Sequence, residues 1–169
     1  SVTPDNFFFT ENDLAAYAVK HYNFTTHEGF NAGIWKNDNA TDNQAATDYD
    51  KKWIPGQWKV PEAYDNPASN DPWYFSTIRE ANYFLETVVP RFEKGEIEGS
   101  ETNIKHYIGE MYFLRAKNYL SKLETFGDFP IIKNTLPDES ESLIQASKRA
   151  PRYKVAHFIL EDLDQAISL

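Results

Sequence analysis

Residues 110–130, EMYFLRAKNYLSKLETFGDFP, decide the fold of this chain. Tyr112, Ala116, Tyr119, Leu123 and Phe126 follow one another at spacings of 4, 3, 4 and 3. That period lays all five along one stripe of an α-helix. Gly127 then stands where a helix needs a left-handed residue just past its end, and Pro130 prevents the helix from resuming. The spacing predicts a long helix over 103–125, beginning at Ser100 or Thr102, that packs on one side and stops abruptly.

Working outward, three more segments carry a helical period. Upstream, Tyr74, Ile78, Ala81, Leu85, Val88 and Phe92 repeat at 4, 3, 4, 3 and 4. Asp71-Pro72 is a suitable start for that helix, an N-cap followed by proline at the first helical position. Pro90 is expected to end or kink it near Val89. Downstream, Pro151 opens a helix over 152–168 with Val155, Ile159, Leu163 and Ala166 in line and Ile167 beside them. Near the start, Thr10 can cap a helix over 11–22, with Glu11 and Asp13 in its first turn where the helix dipole favours acid. Its expected stripe is Leu14, Ala15, Ala18, Val19 and Tyr22. Phe129 to Ile132 is a candidate extended segment. Between the first two helices, Asn23 to Asn70 is polar and aromatic with no sustained period, and short ordered pieces are expected at 29–35 and 41–53. Unperiodic stretches of this length tend to be functional.

The chain of 169 residues is long enough to bury about 70% of its unfolded surface. It is 41% hydrophobic and 25% charged, ordinary values for a globular protein. Aromatics reach 15%, which leaves rings to spare for a binding surface. The net charge of −9, with no Lys/Arg cluster, argues against nucleic acid and against anionic lipid. It suits uncharged ligands such as glycans better than anionic ones. The absence of cysteine excludes disulfides, thiolate metal sites and cysteine nucleophiles. No signal peptide and no long apolar run is present.

The segments IREANYFLETVV, EMYFLRAKNYL with FGDFP, and RYKVAHFILEDLDQAISL, in this order, resemble the N-terminal half of the SusD/RagB family over roughly residues 72–169. The resemblance implies an all-α fold of tetratricopeptide-like helical hairpins with a long aromatic loop region. It implies a nutrient-binding lipoprotein of the cell outer membrane, exposed at the surface, that partners a TonB-dependent transporter. It also implies a lipid-bearing cysteine ahead of Ser1. The opening SVTPDNFFFTENDL reads as the middle of a protein, and Leu169 falls inside a helical pattern. The expectation is therefore that residues 1–169 form a single N-terminal domain of a longer protein.

No G-x-G-x-x-G, Walker A, G-x-S-x-G or H-E-x-x-H segment occurs, so neither a cofactor nor a nucleophile is expected. His21, His27, His106 and His157 are dispersed, and no metal site is expected. Asp42, Asp48, Asp50 and Glu62 could pair as a glycosidase does, but turn formation and loop solvation are the preferred explanation. The ligand-binding candidates are the loop aromatics. Flat rings cover the apolar faces of sugars while amides and carboxylates take the hydroxyls. Trp53 and Trp58 come first, then Tyr49, Tyr64, Asp42 and Asn43; Trp73 ranks lower because it can staple the second helix. Arg79, Asn82 and Arg115 are assigned structural roles, with Asp162 as the carboxylate a buried Arg115 would need. Gly127, Asp128 and Pro130 set a turn. The function expected is non-enzymatic capture of a glycan or other nutrient. The rivals are a tetratricopeptide-type adaptor for a protein segment, in which side chains converge from the helices themselves, and a glycoside hydrolase.

Overall fold

A computed structural model describes residues 7–22, 43, 54–57, 59, 73–136 and 146–169. The chain divides into two compact units, one of Ser1–His21 with Pro61–Leu169 and one of Tyr22–Val60. In the second, the Gln57 N–H donates to the Ile54 carbonyl at 3.0 Å, closing a turn around Pro55 and Gly56. The first unit carries four helices, α1 (Glu11–Val19), α2 (Ser76–Glu93), α3 (Glu101–Phe126) and α4 (Arg152–Ser168). Among the described residues the β pairing is limited to two isolated bridges, Thr10 with Glu98 and Phe129 with Ala150. The extended segment expected at 129–132 thus reduces to one bridge.

Thr10 caps α1 reciprocally. Its Oγ1 accepts from the Asp13 N–H at 3.2 Å, and its own N–H donates to Asp13 Oδ2 at 3.1 Å. The helix is shorter than expected and turned about its axis. Leu14, Tyr17 and Ala18 are buried, while Val19 and Tyr22 are 57% and 43% exposed. Just before it, Phe8 has φ 71, a left-handed value that costs a side-chain-bearing residue energy. Two contacts hold it there. Its ring is buried against Tyr17 and Phe84, and Arg91 Nη1 donates to the Phe7 carbonyl at 2.7 Å.

α2 begins at Ser76 rather than Pro72 and runs through Pro90 to Glu93. Pro90 removes only the N–H that would reach Glu86. The end closes instead through Lys94 and Glu96, whose N–H groups donate to the Pro90 and Arg91 carbonyls at 3.2 and 2.9 Å. Ile78, Ala81, Leu85 and Val88 face inward as their spacing predicts. α3 starts at Glu101, but the Ser100 side chain makes no cap. The acceptor comes from α1, where Glu11 Oε2 takes the Ser100 N–H at 2.6 Å.

The FGDFP run does more than turn the chain. Gly127, φ 70, ends α3 and donates to the Leu123 carbonyl at 2.9 Å. Asp128 Oδ1 accepts the Arg152 N–H at 2.8 Å, capping α4, whose own N-cap residue is Pro151. Phe129 drops into the core beside Phe126 and Phe75.

The core has two parts. One packs Phe8, Leu14, Phe84 and Val88 against Ile104, Ile108 and Met111 of the first half of α3. The other packs Val155, Phe158 and Ile159 of α4 against Ala116, Tyr119 and Phe126 of its second half. α3 belongs to both, so it is buried on more than one side, beyond the single stripe expected. α3 and α4 are antiparallel: Gly109 approaches Ala166, Arg115 pairs with Asp162, and Tyr119 meets the Phe158 ring edge-on at 4.9 Å. α4 presents Val155, Ile159 and, where a leucine or alanine would complete the stripe, Asp162; Ile167 is 83% exposed.

Candidate functional site

A groove of about 730 Å³ opens on the first unit between α1, α2 and the 132–136 segment. α1 contributes Tyr17. Phe75, Arg79, Glu80, Asn82 and Tyr83 come from the start of α2, and the third wall carries Ile132, Asn134, Thr135 and Leu136. Three aromatic rings therefore share a concave surface with a guanidinium, a carboxylate, two amides and a hydroxyl, the mixture that sugar recognition uses.

The third wall has no regular secondary structure, yet both neighbouring helices hold it. The Tyr119 hydroxyl accepts the Ile132 N–H at 2.8 Å and donates to the Ile132 carbonyl at 3.2 Å. Burial pushes the Tyr119 pKa up to about 12, so the hydroxyl keeps the proton it donates. Asn82 Nδ2 donates to the same carbonyl at 2.8 Å, and Thr135 donates to Glu86 Oε2 through both its N–H and its hydroxyl at 2.8 Å. Behind the wall, Arg115 grips Asp162 through two bonds of 2.7 Å and donates from Nη1 to Asn82 Oδ1 at 2.9 Å. Arg115, Asn82 and Asp162 are all buried. Each charge and amide is matched, which makes the burial tolerable.

At the α1 side, the Tyr17 hydroxyl donates to the Glu80 carbonyl at 3.1 Å. Burial, with the Glu80 charge second, holds the Tyr17 pKa far above the usual phenol range. The Glu80 carboxylate lies 3.4 Å from Lys20 and 3.2 Å from His21 Nε2. The His21 contact is close but not aligned as a hydrogen bond. Burial lowers the His21 pKa, outweighing the opposite pull of Glu80, so Lys20 is the charged partner at neutral pH.

Of the ligand candidates named from sequence, Asp42, Tyr49, Trp53, Trp58 and Tyr64 lie outside the described residues, as do Asp48, Asp50 and Glu62. Asn43 is exposed on a turn. Trp73 is a core residue, its ring 4.4 Å from Phe126 and 5.4 Å from Phe129. Arg115 and Asn82 have the structural roles expected; Arg79 is exposed and lines the groove. Among the described residues no group of three or more histidine and acidic side chains is placed to hold a metal, and no helix is long and apolar enough to cross a membrane.

The four-helix scaffold and its walled groove place the chain among all-α proteins. A family model, SusD-like, described as starch-binding and associating with outer membrane, matches residues 2–169, and the chain belongs to that family. A crystal structure of a SusD-like protein from Bacteroides fragilis superposes with a TM-score of 0.61 at 24% identity. The match covers 97% of this chain and 30% of that one, so the chain spans under a third of the solved protein's length. No curated protein matches the sequence.

Proposed function

We propose that this chain captures a glycan at the outer surface of the outer membrane, without catalysis, and passes it to a TonB-dependent transporter. The observation that carries the reading is the family match over residues 2–169, a family described as starch-binding. The groove supports it, because its rings and polar groups suit a sugar. A peptide adaptor would also draw side chains from helices, but the family match favours the glycan. A lipid anchor on the natural precursor and a transporter partner belong to the same proposal. Trp53 and Trp58, with Tyr49, Tyr64, Asp42 and Asn43, are proposed as further ligand contacts. Stacking on one ring contributes on the order of 1 kcal/mol, so Trp53→Ala or Trp58→Ala should weaken binding several-fold with the melting temperature unchanged. The test is calorimetric affinity of the parent and both variants against a panel of oligosaccharides. Failure of the parent to bind any of them, or turnover of one, overturns the reading.

A further inference from the structure

We propose that the groove selects an acidic glycan, seating a hexuronic-acid residue with its carboxylate on Arg79; this rests on the glycan-binding reading above. The net charge of −9 points the other way, but the charges at the groove are not those of the whole chain. Glu80 is compensated by Lys20 at 3.4 Å. Glu86, which accepts two bonds from Thr135, is not among the residues that line the groove. Among the described residues that line the groove, the cation left without a carboxylate is Arg79.

The chain has five arginines. Arg91 is bonded to the Phe7 carbonyl, Arg115 to Asp162, Arg152 lies 3.8 Å from Asp128, and Arg149 sits 5.0 Å above the Trp73 ring. Among the described residues only the Arg79 guanidinium has no such partner, and it lines the groove. A guanidinium presents a planar fork that matches a carboxylate with two parallel bonds, which a neutral sugar cannot return. A hexuronic acid carries its carboxylate on the rim of a ring whose flat face is apolar. The half-buried Phe75 and Tyr83 rings suit that face, and Asn134 and Thr135 suit its hydroxyls. The unfavourable field of the other acidic residues is screened within about 8 Å at physiological salt, so the local pair dominates affinity.

The experiment is calorimetry at physiological salt with oligomers of galacturonate, alginate and hyaluronan, each beside its carboxyl-reduced counterpart, and with maltoheptaose. One acidic oligomer is expected to bind about tenfold more tightly than its reduced form, the margin a charge-assisted bond supplies. Arg79→Gln should remove that margin, leave the reduced form's affinity unchanged and leave the melting temperature unchanged. Equal binding of acidic and reduced forms, or a margin that survives Arg79→Gln, overturns the proposal. Binding of maltoheptaose with neglect of every acidic oligomer overturns it while the glycan reading stands. Binding of none overturns both.

Discussion

Replacing Arg115 by alanine leaves Asp162, 3% exposed, as a buried carboxylate with no cation, and frees one acceptor on Asn82. Breaking such a pair from one side costs about 3–5 kcal/mol. Urea denaturation of Arg115→Ala should show a loss of that size, and Arg115→Met with Asp162→Leu should recover much of it. The pairing was legible in the sequence, because an arginine among the apolar residues of FLRA needs a carboxylate and EDL offers one. Asn82 as the second partner was not, since an amide on a helix flank satisfies many neighbours equally well. The position of Arg79 at the groove was hidden for a related reason. One residue past Ile78 lies at the margin of the stripe, and only the position of the 132–136 segment decides whether that margin is covered or opens into a groove. His21 gives a pH dependence at the same scale. Its folded pKa is lowered from 6.5 by burial, so the unfolded chain binds the proton more readily. The stability it contributes is complete above pH 6.5 and is lost as pH falls below that value toward the folded pKa. Melting curves of His21→Gln should therefore show a shallower acid-side decline than those of the parent; parallel declines would reject the assignment.

Among the elements, the two ends of α3 differ in what holds them. At Gly127 the nearest atoms an added Cβ would meet belong to Arg152, at 3.5 Å, so Gly127→Ala carries mainly the strain of its positive φ, about 1–3 kcal/mol. At Gly99, φ 138, the Cβ would fall 2.6 Å from Glu11 Oε2 and displace the carboxylate that accepts the Ser100 N–H. Gly99→Ala should thus cost clearly more than Gly127→Ala in thermal or chemical denaturation; equal losses would sink the Glu11 contact. The four helices were legible because each carries four to six apolar residues at the helical period. Their ends were less so. Pro72 and Pro90 are strong local signals, yet α2 starts four residues after one and runs through the other, since a proline in the last turn forfeits a single bond. On α1 the nine-residue helix is too short for a stripe to choose between Val19 and Tyr17, and packing against Phe8 and Phe84 made the choice. That Asp128 caps α4 could not be read from spacing, because the cap joins two segments 24 residues apart.

For the molecule as a whole, the fold class followed from local periodicity, whereas the groove did not. Its third wall is unperiodic, and it gains its shape from Tyr119, Asn82 and Glu86, which lie on helices elsewhere in the chain. The cluster around Arg115 makes that dependence general. It joins α2 through Asn82, α4 through Asp162 and the wall through the Lys133 carbonyl, over sequence separations of 33, 47 and 18 residues. Contacts of such separation cannot form until the helices have met, so they belong late on the route to the native state. Interactions absent from the transition state act on escape from the native basin rather than on arrival in it. The Arg115 cluster is on this account a kinetic latch. It sets how long the α2–α3–α4 assembly persists once formed, while the apolar stripes govern how fast it assembles.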